Sequence, residues 1–339
     1  MCSTVRALTR ELCVSLRAWD TVVTETPAAF ATSRMFTFVA IDYSFAKRFV
    51  CCLHHYMQNV LHPSRGKFQM IRGYAPAMEV HTVSVVIPTR NDGAQLRTCL
   101  ALLARQTRPA DEIIVVDNAS SDDTAAICAA AGVKRITVDL PGIPATAAAG
   151  FDAATGSIIA RLDTDSRPPR DWLEHAERIL RAAAPLTAVT GPGDFYGGNA
   201  LVRWAGRHVF LGAYFTVIGF LLGHPPVYGS NFALRRELWE GISSSVVRDN
   251  ALVHDDLDIS YRLRPAMGVL YDPTLKVGVS ARPFASWASF RRRIVTSVVT
   301  FRVEFRHEPP LRRRLDRFRR RRGHRSPATP ARPPWHRGR

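Results

Sequence analysis

Cysteine is scarce in this chain, with six in 339 residues and four of them within the first 52. That count excludes a disulfide framework for a chain of this size and points to a reducing compartment. Cys51-Cys52-Leu53-His54-His55 concentrates sulfur and imidazole, but its spacing fits no common zinc pattern. No signal-peptide pattern opens the chain, because Arg6, Arg10, Glu11 and Arg17 interrupt the apolar residues. Long apolar runs are missing as well. The uncharged stretch from Val209 to Leu234 is broken by His224-Pro225-Pro226, which leaves Val209 to Gly223, too short for an ordinary membrane span. It reads as a buried or interfacial helix. There is no internal repeat, and acidic residues are nearly absent near the end: Leu311 to Arg339 holds twelve arginines and one aspartate. Most of the formal net charge of +17 sits there, so an anionic partner is implied for the tail and not for the fold.

Hydrophobic residues make up 46% of the chain and charged ones 22%, enough for a sizeable core. Residues 1–80 show no sustained period and read as an N-terminal extension. A domain starting near Met78, with 1–77 dispensable, is expected. From Val83 the pattern sharpens. Val83 to Pro88 and Glu112 to Asp117 are short apolar runs of buried-strand type, separated by a helical leucine spacing at Leu96, Leu100 and Leu103. Val133 to Val138 and Ser157 to Leu162 continue the strands, with helices at 125–131 and 145–154 between them. Such alternation predicts βαβ units on a parallel sheet. Trp172 to Ala183 adds a helix, and Thr187 to Gly193 a strand. Leu201 to Leu222 is helical and apolar, while 253–263 is helical in period and acidic at its start. Strands near 269–271 and 276–280 close the domain. Residues 283–308 suggest an amphipathic helix, and 309–339 a disordered Arg/Pro-rich tail.

The chemistry concentrates at Arg161-Leu162-Asp163-Thr164-Asp165-Ser166. Side chains two apart on a strand share a face, so Asp163 and Asp165 would converge on one cation at the strand's carboxyl end. Carboxylate oxygens suit magnesium or manganese. A second reading makes the stretch a strand-to-helix turn, with Asp165 or Ser166 capping the helix near Trp172. Asp117 also falls at a strand end, which the bland reading does not explain.

Four motifs in order resemble the family 2 glycosyltransferases with the GT-A fold: Val85 to Asn91, Ile114 to Asp122, Leu162-Asp163-Thr164-Asp165, and His254-Asp255-Asp256-Leu257-Asp258. The resemblance covers residues 83–282 and implies a Rossmann-like, mostly parallel sheet flanked by helices over 81–282. It further implies inverting transfer from a nucleotide-diphosphate sugar to an acceptor hydroxyl of a cell-envelope glycan or glycolipid, assisted by magnesium or manganese. Pro88, Thr89, Arg90 and Asp117 would hold the nucleoside. Asp163 would sit near ribose and metal, with Asp165 the direct ligand. Asp256 would be the general base, assisted or oriented by Asp255 or His254, and Gly229 to Arg236, including Asn231, looks like the acceptor-side loop. The same acidic segment would also suit a helix N-terminus stabilised by its carboxylates, with an Asp258–Arg262 pair one turn on. One departure from the family stands out. An Arg-Asn pair expected before the Asp-x-Asp strand aligns with Ala147 and Ala148, which makes Arg161 the candidate to replace the cation.

A sugar-phosphate nucleotidyltransferase lacks its glycine- and arginine-rich first loop here, and a glycoside hydrolase would not need Asp117. The tail has too few aromatics for a nucleic-acid partner. A polyprenyl-phosphate sugar synthase and a non-catalytic nucleotide-sugar-binding homologue remain alternatives. The tail's charge and the two apolar helices together suggest a cytoplasmic protein at the anionic inner face of the cell membrane.

Overall fold

The computed structural model describes residues 81–284 and 287–323. The expected extension over 1–80, with its Cys-His cluster, lies outside the described residues, as do 324–339. The fold is built on β1 (Val83–Thr89), every residue of which is buried. Its alternate side chains serve two cores, as a two-residue period requires. Val83, Val85 and Ile87 pack with α1 (Gly93–Leu103), α2 (Thr124–Ala131) and α4 (Trp172–Ala182), while Val86 faces α3 (Ile143–Ala153). α3 is nearly all small residues where it meets the sheet. A Cβ on Gly150 would lie 2.4 Å from Val86 Cγ1, so this contact needs glycine.

β2 (Glu112–Asp117), β3 (Lys134–Thr137) and β4 (Ile158–Arg161) join β1 in parallel, in the order β3-β2-β1-β4. The sheet extends through β7 (Phe232–Arg235), β5 (Thr187–Thr190) and β8 (Gly268–Tyr271), with β7 leading into the short helix α6 (Arg236–Glu240), and β6 (Gly193–Tyr196) pairs with β9 (Val277–Ser280) in a second, two-stranded sheet. β7 runs antiparallel to both of its neighbours, so the sheet is mostly, not wholly, parallel. This reversal has a consequence for the site. It sets Phe232, at the start of β7, opposite Arg161 at the end of β4, so the preceding Gly229-Ser230-Asn231 loop lies over the carboxyl end of β4.

The apolar helix expected over 201–222 is present, and two other expectations from sequence are corrected. The apolar span is not limited to Val209–Gly223. α5 is continuous over Ala200–Leu222, with π-helical turns at Gly206–Phe210 and Tyr214–Ile218, and is long and apolar enough to cross a membrane by length and composition. The run was cut short on paper by Arg203, Arg207 and His208, which project into solvent without ending the helix. The arginine-rich tail is also not irregular throughout: after α8 (Trp287–His307), Pro310–Gly323 forms helix α9. Arg313 donates to the carbonyls of Ser260, Tyr261 and Leu263, and Arg317 to that of Leu263, so α9 satisfies the carbonyl end of α7 (Asp255–Arg262). Charge that reads as a solvated tail is here a helix cap.

Candidate active site

Three adjacent parallel strands end together, and their last residues form one rim. The register sets Thr89 of β1 beside Asp117 of β2, and Val86 beside Arg161 of β4. After Pro88 and Thr89 the chain turns through exposed Arg90 into Asn91, whose φ of +51° is left-handed; Ala119 after β2 has φ +53°. Asn adopts this region more readily than most residues, whereas for Ala119 it is a strained conformation. The two turns clasp each other, since Asn91 Oδ1 accepts from Ser121 N–H at 2.8 Å and Ser120 Oγ accepts from Asn91 N–H at 2.9 Å. Thr89 keeps its hydroxyl buried with no hydrogen-bond partner among the described residues.

Asp117 is fully buried, and both its oxygens are engaged. Oδ1 accepts from Ser120 N–H, and Oδ2 from Arg135 Nε at 2.9 Å and Nη2 at 2.6 Å. Burial pushes this carboxyl up, but Ser120 and Arg135 outweigh it and hold it below the usual carboxylate range. Arg135, on β3, was not singled out in the sequence. Its half-buried guanidinium stands beside the turn where Asp117 alone was expected to hold a nucleoside.

Asp163 and Asp165 are brought together, but not by a strand. β4 ends at Arg161, and the Asp-x-Asp lies in a turn closed by Ser166 N–H to the Asp163 carbonyl. Ser166 Oγ accepts from Asp163 N–H, and the following helix starts after Asp171, so neither Asp165 nor Ser166 caps it. Asp163 Oδ2 accepts from Ser230 Oγ at 2.5 Å, and Oδ1 lies 3.1 Å from Arg161 Nη2. Asp165 Oδ2 accepts from Arg282 at 2.9 Å, and Arg282 also grips Asp92 through both terminal nitrogens at 3.1 and 2.6 Å. Burial and the neighbouring Asp163 push the Asp165 carboxyl up against the pull of Arg282. No group of three or more acidic, Cys or His side chains is placed as a ready metal cage among the described residues. Two hard-oxygen carboxylates that strain against each other's charge nevertheless fit a magnesium- or manganese-type cation. Such ions keep several positions for water and substrate phosphate.

Across this rim stands the N-terminus of α7. Arg161, 2% exposed, lies 3.0 Å from Asp255 Oδ2 as well as beside Asp163. It is committed to two carboxylates inside the protein, so it ties β4 to α7 instead of reaching into a donor pocket as a replacement cation. Burial pushes the Asp255 carboxyl up to about 7, with Arg161 opposing and Asp256 adding to the rise. Asp256 is more open. Its Oδ2 accepts from Gly229 N–H at 3.0 Å and faces the Tyr214 hydroxyl at 3.3 Å, while Oδ1 accepts from Leu257 N–H. Gly229 must be glycine: a Cβ would lie 2.4 Å from Arg161 Nη1 and 3.1 Å from Asp256 Oδ2. Tyr214, contributed by α5, was missed. Its hydroxyl also donates to Val227 O at 2.6 Å, and burial next to Asp256 keeps it protonated, well above the ordinary tyrosine range.

Two expected site residues face elsewhere. His254 contacts α8, with Nε2 at 2.7 Å from Thr296 Oγ1 and its N–H donating to Thr300 Oγ1. Asn231 is fully buried. It accepts from Trp172 Nε1 and donates to the Pro192 and Leu275 carbonyls, which spends its amide on the scaffold and not on an acceptor. Ala147 and Ala148, within α3, are buried in the core against the sheet.

A family model described as glycosyl transferase family 2 matches residues 84–242. Relatives include glycosyltransferase AglE of Haloferax volcanii, 31% identical over 126 residues that cover 34% of this chain and 38% of the relative. The undecaprenyl-phosphate 4-deoxy-4-formamido-L-arabinose transferase of Sodalis glossinidius is 35% identical over 126 residues, covering 34% and 37%. The chain thus spans under two fifths of the length of these two relatives. In three dimensions it is similar to the mannosyltransferase PcManGT of Pyrobaculum calidifontis, solved with GDP-Man and Mn2+, at TM-score 0.54 and 23% identity. That match covers 70% of this chain and 69% of the other. Sheet order, rim and family match agree: residues 84–242 match the glycosyl transferase family 2 model, and the fold is of the GT-A type.

Proposed function

We propose that this chain is an inverting glycosyltransferase that moves a sugar from a nucleotide diphosphate to an acceptor hydroxyl. One observation carries the reading: the Asp163/Asp165 turn and the Asp255/Asp256 helix start meet across Arg161 and Gly229. One pair of carboxylates suits a cation that anchors a diphosphate, and the other a proton acceptor. The Pro88–Asn91 and Asp117–Ser121 turns, with Arg135, line the nucleoside side.

Asp165 and Asp163 would hold the divalent cation, which when bound neutralises charge on the leaving diphosphate. The Mn2+ and GDP-Man of the Pyrobaculum calidifontis structure support that choice of donor and cation class. Asp256 takes the proton of the acceptor hydroxyl. Its Oδ2 meets both the Gly229 N–H and the Tyr214 hydroxyl, while Oδ1 accepts from the Leu257 N–H and keeps a second lone pair for the proton. Asp255, buried against Arg161, orients that helix turn. A hydroxyl acceptor follows, since a phosphate oxygen needs no base. The Sodalis glossinidius relative, named for an undecaprenyl phosphate, marks the competing phosphate acceptor.

Two substitutions separate the roles. Asp165→Ala should abolish manganese-dependent binding of a nucleotide sugar in calorimetry, while Asp256→Asn leaves it nearly intact and lowers kcat by about 10²–10⁴. Asp255→Asn should cost less. Equal manganese-dependent binding by wild type and Asp165→Ala defeats the donor-site assignment. Wild-type transfer by Asp256→Asn would replace the hydroxyl acceptor with a phosphate.

A further inference from the structure

Helix α5 has two unlike faces. Towards the domain, Leu211 and Leu222 are buried, Gly206 packs on Phe195, and Tyr214 bonds to Val227 and faces Asp256. The five-residue step from Gly206 to Leu211 matches the wide π turn between them, which keeps these contacts on one side. On the other side, Leu201 is 71% exposed, Trp204 56%, Val209 58% and Val217 37%. Large apolar side chains at helical spacing on a solvated face are an interaction surface and not a routine exterior.

Charge beside this stripe indicates what covers it. α9 packs on the carboxyl end of α5, with the Arg314 guanidinium 4.0 Å over the Phe220 ring. While Arg313 and Arg317 face inward to α7, Arg312, Leu315 and Arg319 of α9 are exposed; Arg319 makes a loose 3.8 Å contact with Asp316. Apolar groups flanked by arginines match the boundary between acyl chains and anionic headgroups. The inward contacts run from Gly206 to Leu222, roughly 24 Å of helix, and bind α5 to the domain along its length. A helix so held lies along a membrane surface and does not cross it.

We propose that α5, with the outer face of α9, seats this protein on an anionic lipid bilayer. The surface needs no transferase chemistry, so its test is independent of the catalytic reading. Full-length protein is sedimented with vesicles of phosphatidylcholine alone and of phosphatidylcholine mixed with phosphatidylglycerol. Wild type should bind the mixed vesicles, and binding should weaken as salt rises. Trp204→Glu combined with Val209→Asp, both on the exposed face, should abolish binding to both vesicles with an unchanged Tm. Arg312→Glu combined with Arg319→Glu should remove the preference for phosphatidylglycerol, since each arginine near such a surface is worth roughly a fivefold change in partition. Three results would overturn the proposal. They are binding by Trp204→Glu/Val209→Asp equal to wild type, a wild-type dimer in solution that this variant dissociates without any lipid binding, and resistance of vesicle-bound protein to alkaline carbonate, which marks a spanning helix.

Discussion

The proposed divalent ion would be the second cation at Asp165, which already has one. Arg282 holds it at 2.9 Å while also gripping Asp92, and half of the Arg282 side chain remains in solvent. Freeing such a partner costs little, because exposed ion pairs contribute about 0.2–1 kcal/mol. The divalent cation proposed at Asp165 would therefore compete with Arg282 and prevail through its higher charge. Arg282→Ala should bind manganese up to about fivefold more tightly without nucleotide, as read by paramagnetic resonance of the free ion, with Arg282→Lys in between. Identical affinities in all three proteins would make Arg282 a bystander. The carboxylates of this site were legible because each ends or directly follows a strand or opens a helix, a local position that sequence reveals. Arg282 and Tyr214 were not, since they reach Asp165 and Asp256 across 117 and 42 residues. Arg161 was noticed, but in the wrong role: nothing local tells that its nearest anions are Asp163 and Asp255. Asn231 misled for the converse reason, because a polar residue in a loop motif can be spent entirely on buried carbonyls.

Elements behave likewise. The first four strands were readable from β-branched runs, while the reversed direction of β7 depends on how the chain returns from α5. Contacts of α7 with α8 were equally invisible, and they carry a measurable pH dependence. Asp258 and Glu304 share Arg262, at 2.9 and 2.8 Å, so two buried carboxylates have one cation between them. Burial first, and then Asp258, push the Glu304 carboxyl up to about 8. The sign follows from linkage: a carboxyl whose pKa is raised by folding favours the folded state below its unfolded value. That advantage is lost as pH climbs through the folded value. Wild type should therefore lose Tm between pH 5 and pH 8 through this group. Glu304→Gln still accepts from Arg262 and removes the ionisation, so its Tm should fall less over the same range, by at least a few degrees. Parallel pH profiles for the two proteins would show that Glu304 is already ionised in the fold.

Over the whole molecule, the charge that sets this chain apart is divided between two tasks. Of the twelve arginines from Leu311 onward, eight lie in α9 and four beyond it. Composition alone could not make that division, because an arginine that caps carbonyls and one that waits in solvent look the same in a sequence. Arg313 is 3% exposed and, with Arg317, closes the carbonyl end of the helix whose other end carries Asp255 and Asp256. Hydrogen bonds from charged donors are worth about 1.5–3 kcal/mol each, and cations stabilise helix carboxyl ends. A chain ending after Gly323 keeps this clamp, whereas one ending after Pro309 leaves the Ser260, Tyr261 and Leu263 carbonyls without it. The first should match the full-length Tm, and the second should fall by several degrees, at about 2–4 °C per kcal/mol for a domain of this size. Calorimetric binding of a nucleotide sugar with manganese should survive in the first. In the second, Asp256 loses its fixed place and transfer should suffer more than donor binding, because the Asp163/Asp165 turn belongs to a different element. If both truncated chains melt with the full-length protein, the arginines of α9 serve only partners outside the fold.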